Sequence, residues 1–316
     1  MTEVLKQLDA IRLNFSPQGL FTLNLTLAFI MFGVALDIKT EDFKRVFRNP
    51  KPALVGLLSQ FVMLPLLTLI VVLILREYIT PTIAFGMILV AVCPGGNISN
   101  FMSSLGKANV ALSVSLTAFA TISAIILTPM NFAIWGGLYT KIYSVMDSAE
   151  LLRPLKIDPV EMFKTVFVLL GIPLLLGMLF SKRFPDTTKK ILKPIRILSI
   201  LLFAAIVILA FKNNYEYFMM YIKYIFFFVL LHNALALATG YFTASSFKLS
   251  TLDRRTVTIE TGIQNSGLAL VLLFNPNIFP TNMAIGGMAF IAAWWGIWHI
   301  LSGLSLAGFW SLKKHI

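Results

Sequence analysis

The sequence has little charge, and least of the acidic kind. Only 13% of its 316 residues are charged, with 14 aspartates and glutamates against 26 lysines and arginines. A soluble chain of this length carries about 25%. One cysteine, Cys93, has no partner for an internal disulfide framework. No H-E-x-x-H pair is present, which removes the metal site of an intramembrane metalloprotease. No aspartate lies well inside an apolar run, so the two acids of an intramembrane aspartyl protease are missing too. No motif makes His299 the base of a serine hydrolase, and no enzyme is expected. The short alternating segments of a transmembrane β-barrel are also absent.

What the sequence does contain is apolar length. It is 58% hydrophobic, and runs of roughly 20 residues, each enough for a bilayer core of about 30 Å, recur from end to end. The fold class expected is an all-α polytopic membrane protein. Nine spans fall at about 18–37, 52–76, 81–105, 109–138, 159–181, 192–212, 219–247, 253–275 and 282–312. Residues 1–16 are too polar to span and lack the core of a signal peptide. Val4, Leu5, Leu8 and Ile11 fit one side of an interfacial helix, and a frayed tail fits as well. The net charge of +12 sits mainly between spans, so no nucleic-acid partner is expected. With the N-terminus outside, the inner segments 38–51, 106–108, 182–196, 248–255 and the C-terminal tail hold 17 of the 26 basic residues. That is the positive-inside pattern: N-terminus out, C-terminus in the cytoplasm, in a bacterium the inner membrane.

Two of the nine runs are interrupted by polar sequence, "CPGGNISN" at 93–100 and "ETGIQNSG" at 260–267. Each sits one span before the end of a half. After an N-terminal segment 1–17, the halves run 18–138 with four spans and 159–316 with five, joined by a polar connection at 139–158. Pairing from the C-terminal ends sets 81–105 against 253–275 in opposite directions, as in an inverted repeat whose first half lacks its opening helix. Matching breaks in inverted repeats point to a transporter's binding site; two unrelated kinks are the bland alternative. Glu260 is the one acid well inside a span, and an ionisable group there is a functional candidate by default. Asn100, Ser113, Thr117, Gln264 and Gln60 supply hard oxygen donors of the kind sodium prefers. Ser113 and Thr117 are four apart, on one helix face, as Glu260 and Gln264 would be. The alternative for the hydroxyls is a bond to the preceding helical turn.

"CPGGNISN", "NVALSVSLTAFATI", "TIETGIQNSGLA", "IMFGVALDIKTEDF" and "WHILSG" resemble the bile acid:sodium symporter family over nearly the whole chain. The resemblance implies two inverted repeats divided into core and panel domains, with the broken helices crossing in the core. It implies two co-transported sodium ions, the first on Ser99, Asn100, Ser113, Thr117 and Glu260. The second would use Gln60, Glu260, Gln264 and the carbonyls of Thr261 and Ile263. The function it implies is sodium-coupled symport of an organic anion, a bile acid or a pantoate-like or keto-acid-like carboxylate, by a monomer in a lipid bilayer. A proton-coupled or uncoupled transporter of the same fold is the nearest rival. The anion is expected beside Asn97 and Asn265, with Ser266 and His299 close; the alternatives are capping asparagines and a packed, satisfied His299. His232 faces the same choice. Position 97, where many members have threonine, sets this chain apart. Cys93 reads as a small buried apolar residue.

Overall fold

The computed structural model describes residues 2–11, 17–96, 98–146, 158–213, 215–280 and 283–312. Asn97, most of the predicted connection, and the basic Lys313 and Lys314 lie outside the described residues. The described chain is helical, and its one β-type contact is an isolated bridge between Gly95 and Gln264. Helices α1 (Thr2–Ala10), α2 (Pro17–Asp37) and α3 (Thr40–Arg48) lead into α4 (Pro50–Ile74). The first split pair is α5 (Pro81–Ala91) and α6 (Ile98–Leu105), followed by α7 (Val110–Met146). Then come α8 (Pro159–Arg183), α9 (Pro185–Asn213) and α10 (Tyr215–Ser246). The second split pair, α11 (Thr251–Gly262) and α12 (Ser266–Leu273), precedes α13 (Gly286–Leu312).

Helices α4, α8, α10 and α13, and residues Val110–Tyr143 of α7, are long and apolar enough to cross a membrane uninterrupted. Residues Phe21–Asp37 of α2 meet that measure with α3, from which they are bent by 64°. The protein is therefore an all-α polytopic membrane protein. Nine crossings require α9 and the two split elements to span as well.

Prolines shape two of the long helices. Pro65 has no N–H, and its ring crowds the carbonyl of Phe61 four residues back. Helix α4 widens there into a π turn over Ser59–Met63, and α8 does the same over Phe167–Gly171 ahead of Pro173. Other ends follow ordinary capping. Thr80 precedes Pro81, Asp158 accepts the Val160 N–H at 2.8 Å, and Ser250 accepts that of Asp253 at 3.1 Å.

Residues 2–10 form a docked helix, so the frayed tail is not what the chain adopts. Leu5 and Leu8 are fully buried. The Asp9 carboxylate accepts the Thr80 hydroxyl at 2.8 Å and also that of Thr82. Glycine at 286 lets α1 come this close, since a Cβ there would lie 2.1 Å from the Leu8 carbonyl oxygen. The basic segment 38–51 also folds, as α3, because Asp42 takes the Lys39 N–H at 2.9 Å and Phe43 packs on Phe119 with centroids 5.0 Å apart.

Helix α2 packs on α8 and α9. A Cβ at Gly177 would meet that of Ala35 at 2.5 Å, and Arg196 pairs with Asp37. Such close approach through small residues is how helices associate where lipid is the solvent. The remaining long helices surround the two split pairs.

Candidate functional site

A chain that stops a helix at membrane depth must find partners for every backbone group it frees. Here the two breaks satisfy each other. The Gly96 N–H donates to the Ile263 carbonyl at 2.7 Å, and the Asn265 N–H to the Pro94 carbonyl at 2.8 Å. These bonds make the Gly95–Gln264 bridge, so the split pairs cross antiparallel. At the first break the Val92 carbonyl takes the Thr128 hydroxyl at 2.8 Å, while buried Cys93 gives its Sγ hydrogen to the Leu89 carbonyl at 3.2 Å. Gly95 permits the crossing. A Cβ there would lie 2.9 Å from Gln60 Nε2 and 3.1 Å from Glu260 Oε2.

Glu260, in the last turn of α11, is 2% exposed. Its Oε1 accepts the Ser99 hydroxyl at 2.6 Å, that of Thr117 at 3.2 Å, and that of Ser113; Oε2 is 3.1 Å from the Thr117 hydroxyl. The Asn100 side-chain oxygen lies 2.9 Å from the Ser113 hydroxyl and 3.3 Å from that of Thr117. The five residues expected at one site, from α6, α7 and α11, therefore stand together. Bonding to the previous turn is what their neighbours do instead: Ser115 to Ala111 at 2.9 Å and Thr121 to Thr117 at 2.7 Å.

The second group is also assembled, with one change. Helix α11 ends at Gly262, and Ile263 is extended (φ −111°, ψ 91°), so Gln264 does not stack one turn above Glu260 as the four-residue spacing suggested. Its Nε2 folds back to the Thr261 carbonyl at 2.8 Å, and its Oε1 is buried with no partner among the described residues. Gln60 Nε2 reaches the Glu260 carbonyl at 3.3 Å, and Ser59 meets the Thr261 hydroxyl at 2.9 Å. The π turn in α4 carries both Ser59 and Gln60. Its sequence signal is Pro65 inside an apolar run, which residue spacing does not register.

The residues expected near an anion are less uniform. Asn97 lies outside the described residues. Asn265 Oδ1 accepts the Leu268 N–H at 3.0 Å and so caps α12, while its Nδ2 donates to no described residue. Capping and binding thus use different atoms. Ser266 Oγ and His299 Nδ1 are buried and lack partners among the described residues. His299 is packed, at 4% exposed, but not satisfied. His232 has its Nε2 2.9 Å from the Thr68 hydroxyl and its ring 4.7 Å from that of Trp295, while its Nδ1, like that of His299, is buried without a partner among the described residues. Asn233, fully buried next to it, does not stand out by spacing; a second polar residue inside "LLHNALAL" is the available signal. No group of three or more His, Cys, Asp or Glu side chains capable of holding a metal occurs among the described residues. The concentration of hydroxyl, amide and carbonyl oxygens around one carboxylate suits a hard monovalent cation.

Residues 24–221 match the model of the sodium bile acid symporter family. An uncharacterized sodium-dependent transporter of Bacillus subtilis is 30% identical over 306 residues, 95% of this chain and 88% of that protein. A probable chloroplastic sodium/metabolite cotransporter of Oryza sativa is 32% identical over 285 residues, and the match spans 64% of its length. A similar Arabidopsis thaliana protein is 28% identical over 290 residues, 65% of its length. The crossing of two broken helices around a buried carboxylate and the match over most of the chain agree, and the chain belongs to the sodium bile acid symporter family, a family of membrane transporters rather than enzymes.

Proposed function

We propose that the chain is a secondary active symporter that moves two sodium ions inward with each organic anion by alternating access. The observation that carries this reading is the buried Glu260 carboxylate ringed by the Ser99, Ser113 and Thr117 hydroxyls and the Asn100 amide oxygen. A carboxylate within a membrane span costs at least about 2.5 kcal/mol on insertion scales, and a bound cation offsets that cost. Sodium takes the first site on those five residues. It takes the second on Glu260, Gln60, Gln264 and the Thr261 and Ile263 carbonyls, where the unpartnered Gln264 Oε1 is a ready ligand.

The crossing also provides for the opposite charge. Helices α5 and α11 end there and present carbonyls, whereas α6 and α12 begin there and present N–H groups and a partial positive charge. An organic anion binds at those starts, with Asn97, the Asn265 Nδ2, Ser266 and His299 as donors. A bile acid or a pantoate-like or keto-acid-like carboxylate fits that description. The two repeats, 18–138 and 159–316, supply one break each and place nine spans in the membrane. Helices α2, α8 and α9 act as the panel and the others as the core. Both breaks lie in one chain, so a monomer carries a complete site. The basic inner segments orient the N-terminus outside and the C-terminus in the cytoplasm, at a bacterial inner membrane.

Uptake of radiolabelled taurocholate and pantoate into proteoliposomes tests the reading. An inward sodium gradient is expected to drive uptake of one or the other where potassium does not. Uptake that ignores sodium and follows a pH gradient would reassign Glu260 to proton coupling.

A further inference from the structure

Each carbonyl at the end of α11 has a donor, and one of the side chains among those donors has no role in the ion sites. The Glu260 carbonyl takes Gln60 Nε2, that of Thr261 takes Gln264 Nε2, and that of Ile263 takes the Gly96 N–H. The Gln264 carbonyl takes the Ser266 N–H. Between them, the Gly262 carbonyl takes Asn233 Nδ2 from α10 at 2.8 Å. The Asn233 amide is itself fixed, because its Oδ1 accepts the Ser302 hydroxyl of α13 at 2.5 Å. Leu237, one turn further along α10, packs so close to Gly262 that a Cβ there would lie 2.2 Å from its Cδ2.

We propose that Asn233 is a positioning residue for the second cation site. It holds the Gly262 carbonyl toward α10 and so fixes the peptide planes on either side, which aim the Thr261 and Ile263 carbonyls at the ion. Ser302 sets the rotamer of the Asn233 amide and ties this stretch to α13. The inference rests on the proposed sodium coupling and adds a residue that does not touch the ion. Partners of this outer kind orient metal ligands, and their loss typically costs about 10–100-fold in affinity. Asn233 is fully buried, and its amide offers a donor and an acceptor at once; alanine offers neither, leaving the Gly262 carbonyl unpaired.

The test uses the full chain purified in detergent, melted across a sodium chloride series held at constant ionic strength with potassium chloride. The readout is the half-saturating sodium concentration, which a merely structural hydrogen bond would not move. Asn233→Ala is expected to raise it about tenfold or more, and Ser302→Ala about threefold. Asn131→Ala is the control, since it removes a buried asparagine bonded to Trp135 at 3.0 Å on α7 and should lower the melting temperature alone. If Asn233→Ala does not fold, Ser302→Ala decides the matter. Lower melting with half-saturating sodium unchanged in both variants overturns the assignment. A wild-type protein that ignores sodium is a separate outcome; it defeats the sodium reading itself and takes this assignment with it.

Discussion

Replacing Glu260 with glutamine should raise stability in potassium and remove most of the further gain that sodium gives. The substitution keeps the shape of a side chain that is 2% exposed and removes its charge. An amide oxygen can still accept the Ser99 and Ser113 hydroxyls that now reach Oε1. In potassium the variant is relieved of a buried charge, and its melting temperature should rise. In sodium it has lost the one ligand common to both proposed sites. Removing one partner of a buried charge pair costs about 3–5 kcal/mol, at least about 100-fold in affinity at 1.4 kcal/mol per decade. At a sodium concentration 100 times the wild-type Kd, binding stabilises the wild type by about 2.7 kcal/mol. With affinity cut 100-fold, the same concentration stabilises the variant by only about 0.4 kcal/mol. Paired thermal melts in sodium and potassium chloride should therefore show the wild type gaining about 2.7 kcal/mol from sodium and the variant almost nothing. A glutamine variant with an undiminished sodium gain would refute Glu260 as the shared ligand.

The docking of α1 should weaken as pH rises. Burial raises the Asp9 carboxyl from 3.8 to about 6, against the lowering effect of the Thr82 and Thr80 hydroxyls. The docked state therefore binds more protons between those values, is favoured below pH 4, and loses that advantage by about pH 6. Hydrogen-exchange protection of α1 should be greater at pH 5 than at pH 7.5, and Asp9→Asn should flatten the difference. Gly262→Ala places a Cβ 2.6 Å from Leu237 Cγ and should destabilise by about 1–3 kcal/mol. Adding Leu237→Ala should recover part of the loss in melts of the double variant. Transport of two sodium ions with a monovalent anion moves one net charge, worth about 2.3 kcal/mol per 100 mV. A valinomycin-imposed negative interior should accelerate uptake, and indifference to it would point to one sodium per anion or to a divalent substrate.

The long helices and the two breaks were legible because lipid imposes a coarse pattern, with apolar runs of fixed length and conspicuous polar residues wherever one is interrupted. The company around Glu260 was legible for the same reason. Hydroxyls and amides are costly in a span, and Ser113, Thr117, Asn100 and Gln60 had few other roles to fill. What the pattern did not convey was local backbone geometry. Gln264 sits four residues after Glu260, yet the helix ends at Gly262, and spacing means nothing once a helix has stopped. Helix α3 was hidden in the basic segment 38–51 because charge counting treats such a segment as a loop. Asn233 was passed over because its importance depends on a carbonyl 29 residues away, which periodicity cannot reveal.

The π turn in α4 has a consequence for how this chain tolerates length changes. A π turn holds one more residue than the α turn it replaces, so everything before it is rotated relative to everything after it. Ser59 and Gln60 face Thr261 and Glu260 because of that phase shift, while Val62 in the same turn is 41% exposed. Deleting a single residue between 59 and 63 would let the helix close into a regular coil with little change in length, about 1.5 Å. Membrane insertion and overall hydropathy would hardly register the loss. The amide of Gln60, however, would swing away from the carbonyl it caps. A one-residue gap placed here in an alignment therefore marks a change of face rather than a trimmed loop, and separates chains that share this site from chains that share only the fold.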